Sequence, residues 1–124
     1  MFYVVDTHAL VWYIIGKLPK EVDQIFKRSE RGECIIFIPT IALAECRYLV
    51  KHKRIELDFL ELLRRIEISK NFIPVPFDIR ILKLMPDEIS DIHDQIIVAT
   101  AKLLNAKLIT KDEEIKESGL VEVV

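Results

Sequence analysis

Five acids stand out because each lies beside or within an apolar stretch. Asp6 ends the run Phe2-Tyr-Val-Val5, and Glu45 sits between Ile41-Ala-Leu-Ala44 and Cys46. Asp91 and Asp94 open a stretch rich in Ala and Leu, and Asp112 comes two residues after Leu108-Ile-Thr110. Carboxylates gathered in one place repel and raise each other's pKa unless a cation compensates. Hard oxygen ligands of this kind suit Mg²⁺ or Mn²⁺. A divalent ion held by a few carboxylates is a common apparatus for phosphoryl-oxygen chemistry. Each acid alone also has a plainer use. Asp6 and Asp112 can cap the helices that follow them, and Asp91 and Asp94 suit a helix's first turn. Glu45 can pair with Arg47 or Lys53 at the surface.

Whether the acids meet depends on the elements that carry them. Phe2–Val5 suits a buried strand ending at Asp6. Ala9–Ile15 reads as a short buried helix stopped by Gly16. Pro19 opens a second helix, with Val22, Ile25 and Phe26 on one face, ending near Gly32. Cys34–Ile38 is a second buried strand, and Thr40 is expected to N-cap a helix running to about Lys51. Asp58 can cap a further helix with Leu62, Leu63 and Ile66 along one stripe. Phe72–Val75 is a short strand weakened by Pro74 and Pro76, and Asp78 starts a helix that ends before Pro86. Asp91 to about Leu104 is the clearest helix, with Asn105 as its C-cap. Lys107–Thr110 is a strand, Asp112–Glu117 a short helix and Val121–Val124 a last strand.

Strands alternating with helices predict a three-layer α/β/α sandwich around a mostly parallel sheet of about five strands. Ligands of such sheets bind beyond the carboxyl ends of the strands. Asp6 and Asp112 therefore face the same rim. The neighbours of Glu45 at helical spacing are mostly apolar, which turns it inward, and a carboxylate there needs a partner. Asp91 and Asp94, three apart, share a helix face.

Composition bounds the rest. The chain has 124 residues, 51% hydrophobic and 31% charged, with 20 acids against 18 bases. That balance excludes disorder and fits a single domain spanning 1–124. The net charge of −2 argues against a basic nucleic-acid coat. Setting the five acids aside, however, bases outnumber acids, so a metal pocket in a mildly basic shell remains open to a polyanion. Two cysteines, Cys34 and Cys46, are too few for a disulfide framework, and no CxxC pair suggests zinc. A reducing, cytoplasmic setting is expected. The start of the chain lacks a signal peptide's basic residues, and Ala9–Ile15 is far short of the roughly 18 apolar residues of a membrane span.

The ordered motifs are identifiable. Val4-Val-Asp6-Thr-His-Ala-Leu-Val-Trp12, Ile41-Ala-Leu-Ala-Glu45, Asp91-Ile-His-Asp94-Gln-Ile-Ile-Val-Ala-Thr-Ala101 and Leu108-Ile-Thr110-Lys-Asp112 follow one another along the whole chain. Together they resemble a PIN domain, and most closely the VapC-type ribonuclease toxins of prokaryotic toxin–antitoxin pairs. By that resemblance Asp6, Glu45, Asp94 and Asp112 form the acidic quartet, Asp91 is an additional acid, and Thr110 is a hydroxyl beside the last one. The related pattern reads Asp-Pro-x-Asp-Arg where this chain has Asp91-Ile-His-Asp94-Gln95.

The resemblance implies a metal-dependent endoribonuclease. Asp6 and Asp94, helped by Asp112 and Asp91, would hold one or two Mg²⁺ or Mn²⁺ ions. Glu45 would place a water or second ion, or act as base, and the cut phosphodiester would leave a 5′-phosphate. Arg47, Lys51 and Lys111 are candidates to hold the RNA backbone. A small antitoxin and a second copy of the chain are the implied partners. The alternative is a non-catalytic PIN-like module that binds RNA or protein. A haloacid-dehalogenase-like phosphatase fits poorly, because its second Asp would fall where His8 stands. Trp12, Tyr13 and Tyr48 can stack on bases, although a core or dimer-contact role suits Trp12 better. His8 and His93 read as structural or surface residues. Cys46 reads as a core filler, since no His partner is identifiable.

Overall fold

The computed structural model describes all residues, 1–124. Four strands, β1 (Phe2–Val5), β2 (Ile35–Pro39), β3 (Phe72–Val75) and β4 (Lys107–Ile109), form one sheet in the order β3-β2-β1-β4. Every pairing is parallel, with Val4 opposite Phe37 on one side and Leu108 on the other. Seven helices surround the sheet: α1 (Thr7–Ile15), α2 (Lys20–Glu30), α3 (Thr40–Lys51), α4 (Phe59–Ile68), α5 (Ile79–Leu84), α6 (Ile92–Leu104) and α7 (Glu113–Ser118).

Strand periodicity divides the core. Tyr3, Val5, Ile36, Ile38 and Ile109 point to one face and pack against α1, α2, α3 and α4. Val4 and Leu108 point to the other and meet Ile97, Val98 and Ala101 of α6 and Ile115 of α7. A smaller cluster of Ile81, Ile96 and Ala99 joins α5 to α6. The architecture is the expected α/β/α sandwich, with four strands in place of about five. The stretch at Val121–Val124 makes a single parallel bridge, Leu108 to Val123. Two hydrogen bonds hold it, from Leu108 N to the Glu122 carbonyl (2.8 Å) and from Val124 N to the Leu108 carbonyl (3.0 Å). The β-prone residues there are real, but β4 spans only three residues and offers little to pair with.

Capping follows the sequence except at one place. Asp6, Asp58, Asp78, Asp91 and Asp112 all accept helix-start amides, and Asn105 closes α6 in a left-handed conformation at φ 49°. Thr40 does not cap α3. It is the first helical residue, and Pro39 precedes it with φ −57° and no side-chain cap. Proline's fixed φ carries β2 straight into the helix without a capping hydroxyl. β3 lies at the sheet edge, where Pro74 is tolerated because an outward-facing position needs no ladder donor.

Candidate functional site

The carboxyl ends of β1 and β4, adjacent in the sheet, deliver Asp6 and Asp112 to the same rim. The first turn of α6 brings Asp91 and Asp94 there, and α3 brings Glu45. Asp6 is 5% exposed. Its Oδ1 accepts from Ala9 N at 2.8 Å. Asp91 Oδ1 accepts from Asp94 N at 3.0 Å, and Asp112 Oδ1 from Ile115 N at 3.0 Å. So the plain capping role and the rim position coincide for these three acids: one oxygen fixes each side chain on its helix.

Electrostatics shows that the acids converge. Burial raises the Asp6 carboxyl, the Thr110 hydroxyl and the Ala9 amide oppose that rise, and Asp112 adds to it. Asp94 is pushed up to about 6, first by desolvation and then by the charges of Asp91, Asp112, Asp6 and Glu45. One carboxyl thus feels all four of the others. Asp6, Asp91, Asp94 and Asp112 form no ion pair with any Lys or Arg, although six acids elsewhere are so paired. Thr110 is buried and its Oγ1 accepts from Asp112 N at 3.1 Å, tying the last strand's end to the last acid.

Glu45 is held differently from either sequence expectation. It pairs with neither Arg47 nor Lys53. Thr7 donates its hydroxyl to Oε1 at 2.7 Å, and His93 Nδ1 stands 3.3 Å from Oε2. Thr7, to which the sequence assigned no role of its own, and His93, read there as a structural or surface residue, therefore belong to the candidate site. Their positions, one after Asp6 and one before Asp94, were the available signal. Gln95, where the related pattern has Arg, donates Nε2 to the Ile89 carbonyl at 2.6 Å and so braces the loop leading to Asp91. Ser90 in that loop donates to Glu114 of α7 at 3.0 Å, which links the acids of α6 to those of α7.

The basic candidates lie around this centre. Lys111 is exposed beside Asp112, with its Nζ 5.2 Å from the Trp12 ring centroid. Arg47 is exposed two residues from Glu45, on another side of α3. Burial pushes the Cys46 thiol up to about 11, which suits a core filler. The two widest hollows, about 700 and 670 Å³, surround Lys107 and Glu122 at the start of β4 and include none of the five acids.

No three His, Cys, Asp or Glu side chains approach one point closely enough to form a ready-made cage. The donor set nevertheless fits a hard cation. Mg²⁺ keeps several waters and commonly uses only one or two carboxylates directly. The Asp94 carboxyl, raised by burial and then by four like charges, and lacking a cationic partner, is the group such an ion would relieve.

A parallel α/β sandwich with acids at the carboxyl rim is the class that fold and site define. The chain belongs to the PIN domain family, which matches residues 3–119. No curated protein matches the sequence. Among solved structures, a chain of VapBC2 from Rickettsia felis, crystallised bound to a DNA fragment from the promoter, is similar with a TM-score of 0.73 at 20% identity. That match covers 100% of this chain and 98% of the other. A toxin–antitoxin complex from Klebsiella pneumoniae gives 0.67 at 20% identity, covering 98% and 95%. FitAcB from Neisseria gonorrhoeae gives 0.67 at 19%, again covering 98% and 95%. At these identities the structural likeness speaks to the fold.

Proposed function

We propose that the chain is a metal-dependent endoribonuclease, the toxin of a VapBC-type toxin–antitoxin pair acting in the cytoplasm. The observation that carries this reading is Asp94: a carboxyl surrounded by four others, with no Lys or Arg to balance them. Asp6 and Asp94 would hold the ion, and Asp112 and Asp91 would support them. When bound, Mg²⁺ or Mn²⁺ lowers the pKa of a coordinated water and polarises the scissile phosphate. Glu45, gripped by Thr7 and His93, orients the attacking water or takes its proton. The Thr110 hydroxyl opposes the upward shift that burial imposes on the Asp6 carboxyl and orients it, and Arg47 and Lys111 contact the RNA backbone. The products are a 5′-phosphate and a free 3′-hydroxyl.

With Mn²⁺ or Mg²⁺ the purified protein should cut single-stranded RNA, chelator should stop it, and Asp6→Asn should abolish it while retaining the cap on α1. Persistent cleavage by Asp6→Asn would remove that residue from the metal site. No Mn²⁺ binding at millimolar ion would favour the non-catalytic module instead.

The neighbouring folds occur in toxin–antitoxin complexes, which supports a small antitoxin as partner. A homodimer is supported by exposed apolar residues on and beside α5: Phe77 before it, Ile79 and Leu82 within it, and Ile92 at the start of α6. Light scattering at tens of micromolar should give twice the 14.5 kDa chain mass; a monomer there would count against it.

A further inference from the structure

Beyond Glu45, one side of α3 carries residues that the cleavage chemistry leaves unused. Glu45, Tyr48 and His52 follow at i, i+3 and i+7, and so lie along one stripe of the helix surface. Tyr48 is 55% exposed. Its ring nonetheless stacks on His52, with centroids 4.0 Å apart and planes 28° apart. His52 Nδ1 lies 2.9 Å from the Tyr48 carbonyl oxygen, which locks the imidazole in that stack. A groove of about 470 Å³ runs beside the stripe, walled by Ile41, Leu49, His8 and Tyr48, and it reaches Glu45 and His93. Between Cys46 and Ile55 the chain has Arg47, Lys51, Lys53 and Arg54 and no acid. All four are exposed and none has a carboxylate partner, unlike Lys27, Arg64 or Arg80.

We infer that this groove is a nucleobase subsite: an unpaired base of single-stranded RNA lies in it against the Tyr48–His52 stack, while the four cations neutralise the flanking phosphates. The inference rests on the endoribonuclease reading and names the substrate feature that this side of the centre recognises. Three observations favour RNA over an apolar peptide. The exposed aromatic face is pre-stacked, and every base offers a π-face to such a platform. The hollow suits a base and its ribose, whereas a helix about 10 Å across would not enter it. The groove's lining holds Glu45 and no Lys or Arg, but four unpaired cations on α3 and the loop after it stand outside the groove, where the phosphates of a polyanion would run. The groove is continuous with Glu45, so a strand whose phosphate is at the acids reaches it directly. Unpaired bases splayed onto aromatic and imidazole rings are the usual way single-stranded RNA is read.

The test uses the Asp6→Asn protein, which holds RNA without cutting it, and a short fluorescein-labelled single-stranded RNA containing 2-aminopurine. Tyr48→Ala should weaken binding roughly tenfold and abolish 2-aminopurine quenching. Tyr48→Phe, which keeps the ring, should retain both. Replacing Lys51 and Lys53 by Gln should flatten the slope of log affinity against log salt by about 0.7 for each cation. Equal affinity and quenching in Tyr48→Ala and its parent would overturn the subsite while leaving the nuclease reading intact. Loss of antitoxin binding with unchanged RNA binding would also overturn it, in favour of a protein groove. A native protein that neither binds nor cuts RNA in Mn²⁺ would sink the nuclease reading itself. Tyr48 is largely exposed, so these variants should fold.

Discussion

Asp94→Asn should reduce metal-dependent RNA cleavage by about a thousandfold or more and, in metal-free neutral buffer, make the protein more stable. Both effects have one cause. Asp94 has its carboxyl pushed from 3.8 up to about 6, chiefly by burial and then by Asp91, Asp112, Asp6 and Glu45. A carboxyl with a higher pKa in the folded than in the unfolded chain favours the fold most when protonated. Its contribution is fully present below about pH 3.8 and is lost as pH rises through 6. At neutral pH the ionised group therefore works against the metal-free fold, and the amide removes that charge. The difference in melting temperature between variant and native protein should shrink as pH falls from 7.5 towards 5. A bound cation reverses the preference, so Mn²⁺ should raise the native melting temperature, more weakly below pH 6, and leave the variant nearly unchanged. Thermal melts with chelator and with Mn²⁺ at both pH values check the stability arm. Native-level cleavage by the variant would exclude Asp94 from the metal site.

Phe26→Ala should cost about 3–5 kcal/mol, a fall of roughly 10–20 °C in melting temperature for a chain of this size. Phe26 is 2% exposed and belongs to the larger core cluster. Tyr13 stacks on it with centroids 4.3 Å apart and planes 16° apart, and Phe72 lies 6.1 Å away. Truncation opens a hollow between α1, α2 and β3 that three aromatic rings now fill, and the rigid rings on either side cannot collapse into it. Phe26 and its ring neighbours Tyr13 and Phe72 include none of the rim acids or the groups that shift them. Cleavage per folded molecule, measured well below the new melting point, should therefore match the native protein. The pair of variants separates the two parts of the molecule: Asp94→Asn costs chemistry and gains stability, and Phe26→Ala costs stability and leaves the chemistry.

Much of this arrangement is legible in the sequence because local rules fix it. Apolar runs that stop at Asp6 and at Thr110 mark strand ends, and parallel strands put their ends on one rim. Asp91 and Asp112 precede amphipathic stretches in capping position, and the structure finds them there. Contacts between distant elements were not legible. The grip of Thr7 and His93 on Glu45 joins α1, α3 and α6, and nothing in helical spacing announces it; reckoned around its own helix, His93 turns away from both neighbouring acids. The last strand illustrates the opposite failure. Val121, Val123 and Val124 have strand propensity, but a strand exists only where a neighbour is long enough to pair with it, and here the neighbour ends after three residues. Thr40 shows that a good capping residue is not used when proline already sets the backbone.

The capped acids have a further consequence. Helices α1, α6 and α7 all begin at the rim, and each helix start brings partial positive charge, up to about half an elementary charge. Asp6, Asp91 and Asp112 sit at those poles, so backbone dipoles temper the crowding of carboxylates before any ion arrives. The fold and the chemistry consequently share the same atoms. Alanine at Asp6, Asp91 or Asp112 would remove a rim acid and fray a helix by about 1 kcal/mol together. Asparagine would keep the cap and discard only the charge. A lineage drifting from nuclease to inert scaffold thus has an easy path through this rim, a single exchange of carboxylate for amide, and the helices would register almost nothing.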